Sequence, residues 1–197
     1  MPSADTPSRT EATRAKLLES ATRAFAERGF HGTTTRDITS AAGTSSAALY
    51  VHHPSKEDLL YQISRAGHEA TLVAIRRGKA ASADVREQLR IVVEDFVVDH
   101  AENHTRSRIV NFELAALEPE HRAEVLDLRR SIDAEMIGLI DAGIAAGAFN
   151  VTEPRVAASV ILSSGIDVAR WYYDDYRLSP RQLGAAYADV ALRIVGA

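Results

Sequence analysis

Apolar residues recur at three- and four-residue intervals along almost the whole chain, the spacing that gathers them on one face of an α-helix. Leu17, Leu18, Ala21, Ala24 and Phe25 form the first stripe, and Gly29 behind it is a helix C-terminal signal. Thr35 precedes a short helical segment running to Gly43, and Ser45 can cap another through about His52. Ser55 can cap a fourth helix, expected to reach about Gly78, with Asp58 three residues on as an acidic variant of the capping box. The pattern resumes from Ala83 to about His100 and again from Thr105 to Leu117. Pro119 stands at a helix start, where its missing N–H is harmless. The stripe Val125, Leu128, Ile132, Met136, Leu139, Ile140, Ile144 follows it and closes at Gly147. Thr152 is expected to cap a helix from about Glu153 to Tyr176. Ser179 and Pro180 begin the last one, with Leu183, Ala186, Tyr187, Val190 and Ile194 on its apolar face. No alternating strand pattern competes and no internal repeat appears, so the expected fold is all-α, with about nine helices.

Composition narrows the class. The chain has 197 residues, enough for a small domain joined to a medium one. No apolar run approaches the ~18 residues a membrane helix needs. The segment from Met1 to Thr10 is polar and does not read as a signal peptide. Cysteine is absent, which excludes disulfides, thiolate metal sites and a cysteine nucleophile and suits a reducing cytoplasm, the expected location. The net charge of −4 argues against nucleic-acid binding only until it is divided by position. Residues 1–56 carry seven Lys and Arg against five Asp and Glu, and the remainder sixteen against twenty-two. A mildly basic head on an acidic body suits a protein that presents only its head to phosphates.

The informative stretch is 34–57, TTRDITSAAGTSSAALYVHHPSKE. Two short helices, Arg36 to Ala42 and Ser46 to His52, flank a turn at Gly43 and Thr44. Ile38 and Ala41 can pack on Leu49, and the small Ala42, Ala47 and Ala48 permit a steep crossing. The second helix offers Thr44, Ser45, Ser46 and Tyr50, hydrogen-bonding side chains of modest reach suited to a major groove. Thr35 and the free N–H groups beside it make one candidate phosphate site; Ser55 and Lys56 at the next helix start make another. Arg36 and His52 complete the set of candidate DNA contacts. By pattern alone, a solvated helical corner explains the stretch as well as DNA binding does.

These residues resemble the DNA-binding domain of the TetR family, whose pattern is roughly T-x-x-I-A-x-x-A-G-V-S-x-G-x-L-Y-x-H-F-x-S-K-E-x-L. Thr35, Ile38, Ala42, Gly43, Ser45, Leu49, Tyr50, His52, Ser55, Lys56 and Glu57 match it, followed by Leu59 or Leu60. Ala21, Phe25, Gly29, Phe30, Thr33 and Thr34 match the usual preceding helix, so the motif covers roughly residues 10–60. Thr39, Thr44, Ala47 and His53 depart from it. His53 stands where the family has an aromatic, and the sequence leaves open whether it packs inward or reaches a phosphate.

The resemblance implies a three-helix DNA-binding head over 1–56 and a helical ligand-binding and dimerisation domain over 57–197. The implied partners are double-stranded operator DNA, a small-molecule effector and a second copy of the chain. Neither an enzyme nor a resident cofactor is expected, and repression is the family's usual action. For the dimer, the last two helices offer Ile161, Gly165, Val168, Leu183, Tyr187, Val190 and Ile194, although a core stripe within one chain accounts for any one of them nearly as well. Polar or large residues on apolar stripes nominate an effector pocket: Tyr61, His68, His100, Arg108, Asn111, Phe112, Met136, Arg170 and Trp171. The run Arg170-Trp171-Tyr172-Tyr173 resembles a branch of the family that senses acyl-coenzyme A thioesters; a drug-like aromatic effector is the alternative. His100 and His104 lie four apart with Glu102 near them, but no third ligand is evident and no metal is expected.

Overall fold

Side-chain caps set five of the helix starts, those of the second to fifth helices and of the last. In the computed structural model, which describes residues 9–197, nine α-helices and one short 3-10 turn account for the described secondary structure. They are α1 (Arg9–Gly32), α2 (Thr35–Ala41), α3 (Ser46–His52), α4 (Lys56–Ala80), α5 (Val85–Glu102), α6 (His104–Phe112), α7 (Pro119–Ala145), α8 (Pro154–Trp171) and α9 (Pro180–Ile194). The 3-10 turn spans Leu114–Ala116. Most of the segment read as no signal peptide lies outside the described residues.

The cap of α2 is Thr34 rather than Thr35. Its hydroxyl accepts from the Asp37 N–H at 3.2 Å while the Asp37 carboxylate accepts from the Thr34 N–H at 2.8 Å. Ser45 caps α3 and Ser55 caps α4, as the pattern predicts. Ser179 and Gln182 close a full capping box on α9. Gly29 takes φ 71°, the left-handed value that a glycine adopts without strain, and kinks α1 near its end. Two expectations fail at α8. Thr152 does not cap it; Glu153 holds that position with no side-chain bond, and Pro154 fills the first turn. The helix also stops at Trp171, short of Tyr176, because Tyr172 turns its ring inward and donates its hydroxyl to the Leu178 carbonyl at 3.3 Å.

Two apolar cores result. The first joins Leu17, Phe25 and Phe30 of α1 to Ile38, Leu49, Leu59 and Leu60, and extends to Ile109 and Val110 of α6 and Val125 of α7. The head therefore sits on body residues. The second core surrounds α5, against which α4, α7, α8 and α9 pack. α8 and α9 lie on α5 more than on each other. A Cβ on Gly165 would meet the Phe96 ring at 2.7 Å, and one on Gly184 the Glu94 carbonyl at 2.9 Å.

This arrangement corrects the proposed dimer stripe. Ile161, Gly165, Val168 and Leu183 are buried inside the protomer, because those faces are what α8 and α9 use to seat on α5. The outward side of the same helices carries Val156, Val160 and Val190, each about half exposed or more, beside the half-buried Tyr187 and Ile194. No described helix is long and apolar enough to cross a membrane.

Candidate DNA-binding face and effector pocket

α2 and α3 meet through Ile38 and Leu49, both fully buried, and the Thr44 N–H donates to the Thr39 carbonyl at 2.9 Å across the turn. Gly43 there takes φ 64°. Thr39 is buried, but its hydroxyl donates to the Arg36 carbonyl at 3.2 Å, so the departure from alanine leaves no polar group unmet. Arg36, Ser45, Ser46 and Tyr50 are exposed and Thr35, Thr44 and His52 half-buried. Tyr50 projects from α3 with 54% of its surface free. Ser45 also uses its hydroxyl to accept from Ala48 N–H.

Lys56 departs from its expected role. Its ammonium donates to the Phe30 and Thr33 carbonyls, each at 2.7 Å, and lies 4.1 Å from the centre of the Phe30 ring. The cation closes the corner between α1 and α2 with two of its three N–H groups, a role that the sequence did not predict, and burial pushes its pKa down. His53 resolves inward. It is fully buried, and its Nδ1 donates to the Asp58 carboxylate at 2.7 Å, which is why Asp58 does not close the capping box on α4.

Glu57, between them, faces the body. Its carboxylate accepts from the Glu118 N–H at 3.0 Å and from His121 Nδ1 at 2.9 Å. The Tyr61 ring stacks on His121 with centroids 3.9 Å apart, and its hydroxyl donates to Glu124. Tyr61 thus belongs to a joint between α4 and α7, not to an effector pocket. Partial burial opposes charge on His121, but the Glu57 hydrogen bond and charge outweigh it and hold its pKa above the ordinary imidazole value. Glu57, Glu118 and His121 also offer ligand atoms within 4.8 Å of one another, close enough to share a divalent ion. More than fifty residues separate Glu57 from the other two, so sequence spacing carried no signal of this cluster.

The remaining pocket candidates divide between two cavities. The outer one, about 510 Å³, lies between head and body. Phe25, Ala26 and Gly29 of α1 form one wall, Arg108, Ile109 and Phe112 of α6 with Glu113 another, and Arg170 of α8 the third. The Arg170 guanidinium lies 5.3 Å from the Phe112 ring centre and 3.5 Å from Asp167. Arg108 is exposed and has no ion pair among the described residues. The inner cavity, about 40 Å³, lies within the body. His68 and Thr71 of α4, Phe96 and His100 of α5, Arg129, Ile132 and Asp133 of α7, and Leu162 and Ile166 of α8 surround it. Burial pushes both imidazoles below their ordinary pKa against the opposing pull of hydrogen bonds to backbone carbonyls. Asn111 lines neither cavity; from α6 it brings its Nδ2 to 3.4 Å from His100 Nε2.

Met136 and Trp171 line neither cavity. Met136 is fully buried in the body core, and Trp171 is in an aromatic cluster 5.3 Å from Tyr176. His100 and His104 do not act as a pair, because α5 ends at Glu102 and a new helix begins at His104; their Nδ1 atoms go to separate carbonyls, Phe96 and Ala101. A third cavity of about 230 Å³, lined by Val93, Ile161, Ser164, Tyr187, Val190, Ala191 and Ile194, opens on the outward side of α8 and α9.

Two predictions follow from the start of α4. Lys56→Met removes both charge-assisted bonds and should cost about 2 kcal/mol of stability, read by urea denaturation. The salt dependence of its operator affinity should stay within about half a unit of wild type, where loss of a phosphate contact would lower it by roughly one. For His121, the raised folded pKa means its contribution is full below the ordinary imidazole value of about 6.5 and is lost as pH rises through the raised value. The melting-temperature gap between wild type and His121→Phe should therefore be largest below the ordinary imidazole value of about 6.5 and shrink as pH rises above it; a constant gap would assign it to packing alone.

Comparison with known proteins agrees with this architecture. The profile described as bacterial regulatory proteins, tetR family, matches residues 17–63, and the one for the tetracyclin repressor-like C-terminal domain matches residues 82–195. The crystal structure of a bacterial regulatory protein in the tetR family from Rhodococcus RHA1 is 37% identical, covers 93% of this chain and 96% of that one, and superposes with a TM-score of 0.88. The HTH-type transcriptional repressor KstR2 of Rhodococcus jostii is 28% identical over 193 residues, 97% of this chain and 95% of its own. AibR, solved in complex with isovaleryl coenzyme A and operator DNA, shares the fold at a TM-score of 0.82 and 23% identity over 90% of this chain and 97% of its own. An exposed helix-turn-helix seated on a separate helical body, together with these matches, places the chain in the TetR family of DNA-binding transcriptional regulators.

Proposed function

We propose that this protein is a homodimeric repressor that leaves a near-palindromic operator when an acyl-coenzyme A thioester occupies the outer cavity. The observation that carries this reading is the convergence of Arg108 and Arg170 on a pocket whose opposite wall is the head's own α1. Guanidinium forks match phosphate oxygens in charge and geometry, and the exposed face of Phe112 suits a flat or apolar group beside them. At about 510 Å³ the pocket lies within the range of ordinary ligand sites. A ligand wedged there separates α1 from α6, and the head follows because its core includes Ile109 and Val110 of α6. Release requires that the ligand bind more tightly to the conformer whose two recognition helices no longer match successive major grooves. We place the division of labour between Lys56, which closes the head, and Glu57, which holds the body. The names of the relatives support the same direction: KstR2 is a repressor, and AibR was solved with a short acyl-coenzyme A and its operator.

The dimer seam in this reading is the outward face of α8 and α9, centred on Val160, Ser164, Tyr187, Val190 and Ile194. The recognition helices of the two copies, around Ser45 to Tyr50, then reach half-sites about one helical turn apart.

Fluorescence anisotropy on labelled DNA from upstream of the protein's own gene tests the effector. Acyl-coenzyme A thioesters should release the complex at micromolar levels and free coenzyme A should not. Arg108→Ala with Arg170→Ala should raise the releasing concentration at least tenfold and leave ligand-free DNA affinity unchanged. Release by a planar aromatic compound and not by any thioester would replace this effector with a drug-like one. Val190→Arg tests the seam: Val190 is exposed in the protomer, so the variant should fold yet sediment as a monomer and lose operator binding. A variant that stays dimeric would move the interface elsewhere.

A further inference from the structure

The arginines account for the outer cavity and leave the inner one unexplained. His68 and His100 are each 4% exposed, and each brings Nδ1 to 2.8 Å from a carbonyl one turn back, Ser64 for the first and Phe96 for the second. A carbonyl only accepts, so Nδ1 carries the proton in both rings and Nε2 presents a lone pair. Burial disfavours the charged form of both rings, and for His68 the charge on Arg129 acts in the same direction. The lone pair of His100 meets Asn111 Nδ2 at 3.4 Å. That of His68 meets no protein donor, and the Ser64 hydroxyl one turn earlier, also fully buried, has no partner either.

Among the described residues no protein donor meets this buried acceptor, so its hydrogen bond must come from a molecule in the cavity. Beside it Phe96, Ile132, Leu162 and Ile166 give the cavity apolar walls, while Thr71, His100, Arg129 and Asp133 supply its other polar groups; a ligand seated against the apolar walls meets His68 Nε2 as a buried acceptor without a protein donor. The free space, about 40 Å³, admits a polar group of roughly water size, and anything attached to that group must spread α4, α5, α7 and α8. The half-buried Arg129 and exposed Asp133 stand at the rim.

We infer that the inner cavity selects effectors by a hydrogen-bond donor, a hydroxyl or N–H carried on an otherwise apolar group, with His68 Nε2 as the acceptor. A ketone, ether or ester at the same place would set lone pair against lone pair and leave both unmet, so selection is against acceptor-only ligands as much as for donors. The inference rests on the reading above that a small-molecule effector releases the operator, and it adds that the far end of that effector reaches the inner cavity and carries a donor. Selection and response are then one event, because seating the group pushes on α4, whose first turn holds the head.

The test uses the full-length protein and a matched pair of probes, phenol and anisole, which differ in the donor and one methyl group. Titration calorimetry and the ¹⁵N shift of His68 Nε2 report binding. Phenol should bind at least tenfold more tightly than anisole and move the Nε2 resonance, and His68→Leu should abolish the preference while changing anisole affinity less than about twofold. His68→Leu replaces an unmet acceptor with an apolar side chain, so its melting temperature should equal or exceed that of wild type; His68→Gln, which restores an acceptor, should recover part of the preference. Equal binding of the two probes, a preference that survives in His68→Leu, or no binding of either with water alone in the cavity would each overturn the inference. Operator release by thioesters without regard to a donor group would leave the repressor reading standing and remove this one. A phenol preference that depends on His68, with no release by any thioester, would do the reverse.

Discussion

Three consecutive side chains at the start of α4 hold three different parts of the molecule. Lys56 closes the α1–α2 corner through two carbonyls, Glu57 grips α7 through His121 and the Glu118 N–H, and Asp58 anchors the end of the recognition helix through His53. All three are charged groups whose partners are partly or wholly withdrawn from water, where such bonds are about twice as strong as neutral ones. The orientation of the DNA-binding face relative to the body depends on this one turn. α4 is tied again near its far end, where Lys79 and Arg76 share the Glu135 carboxylate at 2.6 and 2.7 Å. Bound at both ends, α4 and α7 shift together or break one of these contacts.

Against that fixed pair stands α6, a helix of nine residues that no side chain caps. One part of it, Ile109 and Val110, belongs to the head's core; another, Arg108 and Phe112, lines the outer cavity; and Asn111 touches His100. A short, weakly capped helix with contacts in every direction shifts at lower cost than a long one bound at both ends. Its residues line the outer cavity and belong to the head's core, so α6 is in contact with both. The polar groups of the two cavities differ: Arg108, Arg170 and Glu113 line the outer, and two buried imidazoles with Thr71, Arg129 and Asp133 line the inner. A single elongated molecule with an anionic end and a donor-bearing apolar end would complement both.

Helix existence was legible in the chain because a 3.6-residue apolar period and local capping chemistry involve neighbours only a few residues apart. The recognition motif was legible for the same reason. Ser45, Ser55 and Ser179 cap the helices they were expected to cap, and Thr34 displaces Thr35 by a single residue because Asp37 is placed to answer it. Periodicity finds an apolar face but does not say what covers it. Val168 and Leu183 read as a dimer stripe, and only the seat of α8 and α9 on α5 showed that they are covered within the protomer while Val160 and Val190 are not.

Side-chain roles at the site were decided by tertiary contacts between residues far apart in the chain. Lys56 reads as a phosphate ligand until the Phe30 and Thr33 carbonyls arrive beside it, and Tyr61 as a pocket residue until His121 stacks on its ring. His53 was ambiguous in the sequence because burial and partner were both unknown; its ring is enclosed and Asp58 accepts its Nδ1 hydrogen bond. The nine pocket candidates were chosen for polarity or bulk on apolar stripes, which signals that a residue is unusual but not which cavity it faces. Local hydrogen bonding and helical period are properties of short segments, so the sequence determined the elements and the head's surface. Long-range packing alone determined where charges find partners, and hence that Arg108 and Arg170 share one cavity while His68 and His100 share another.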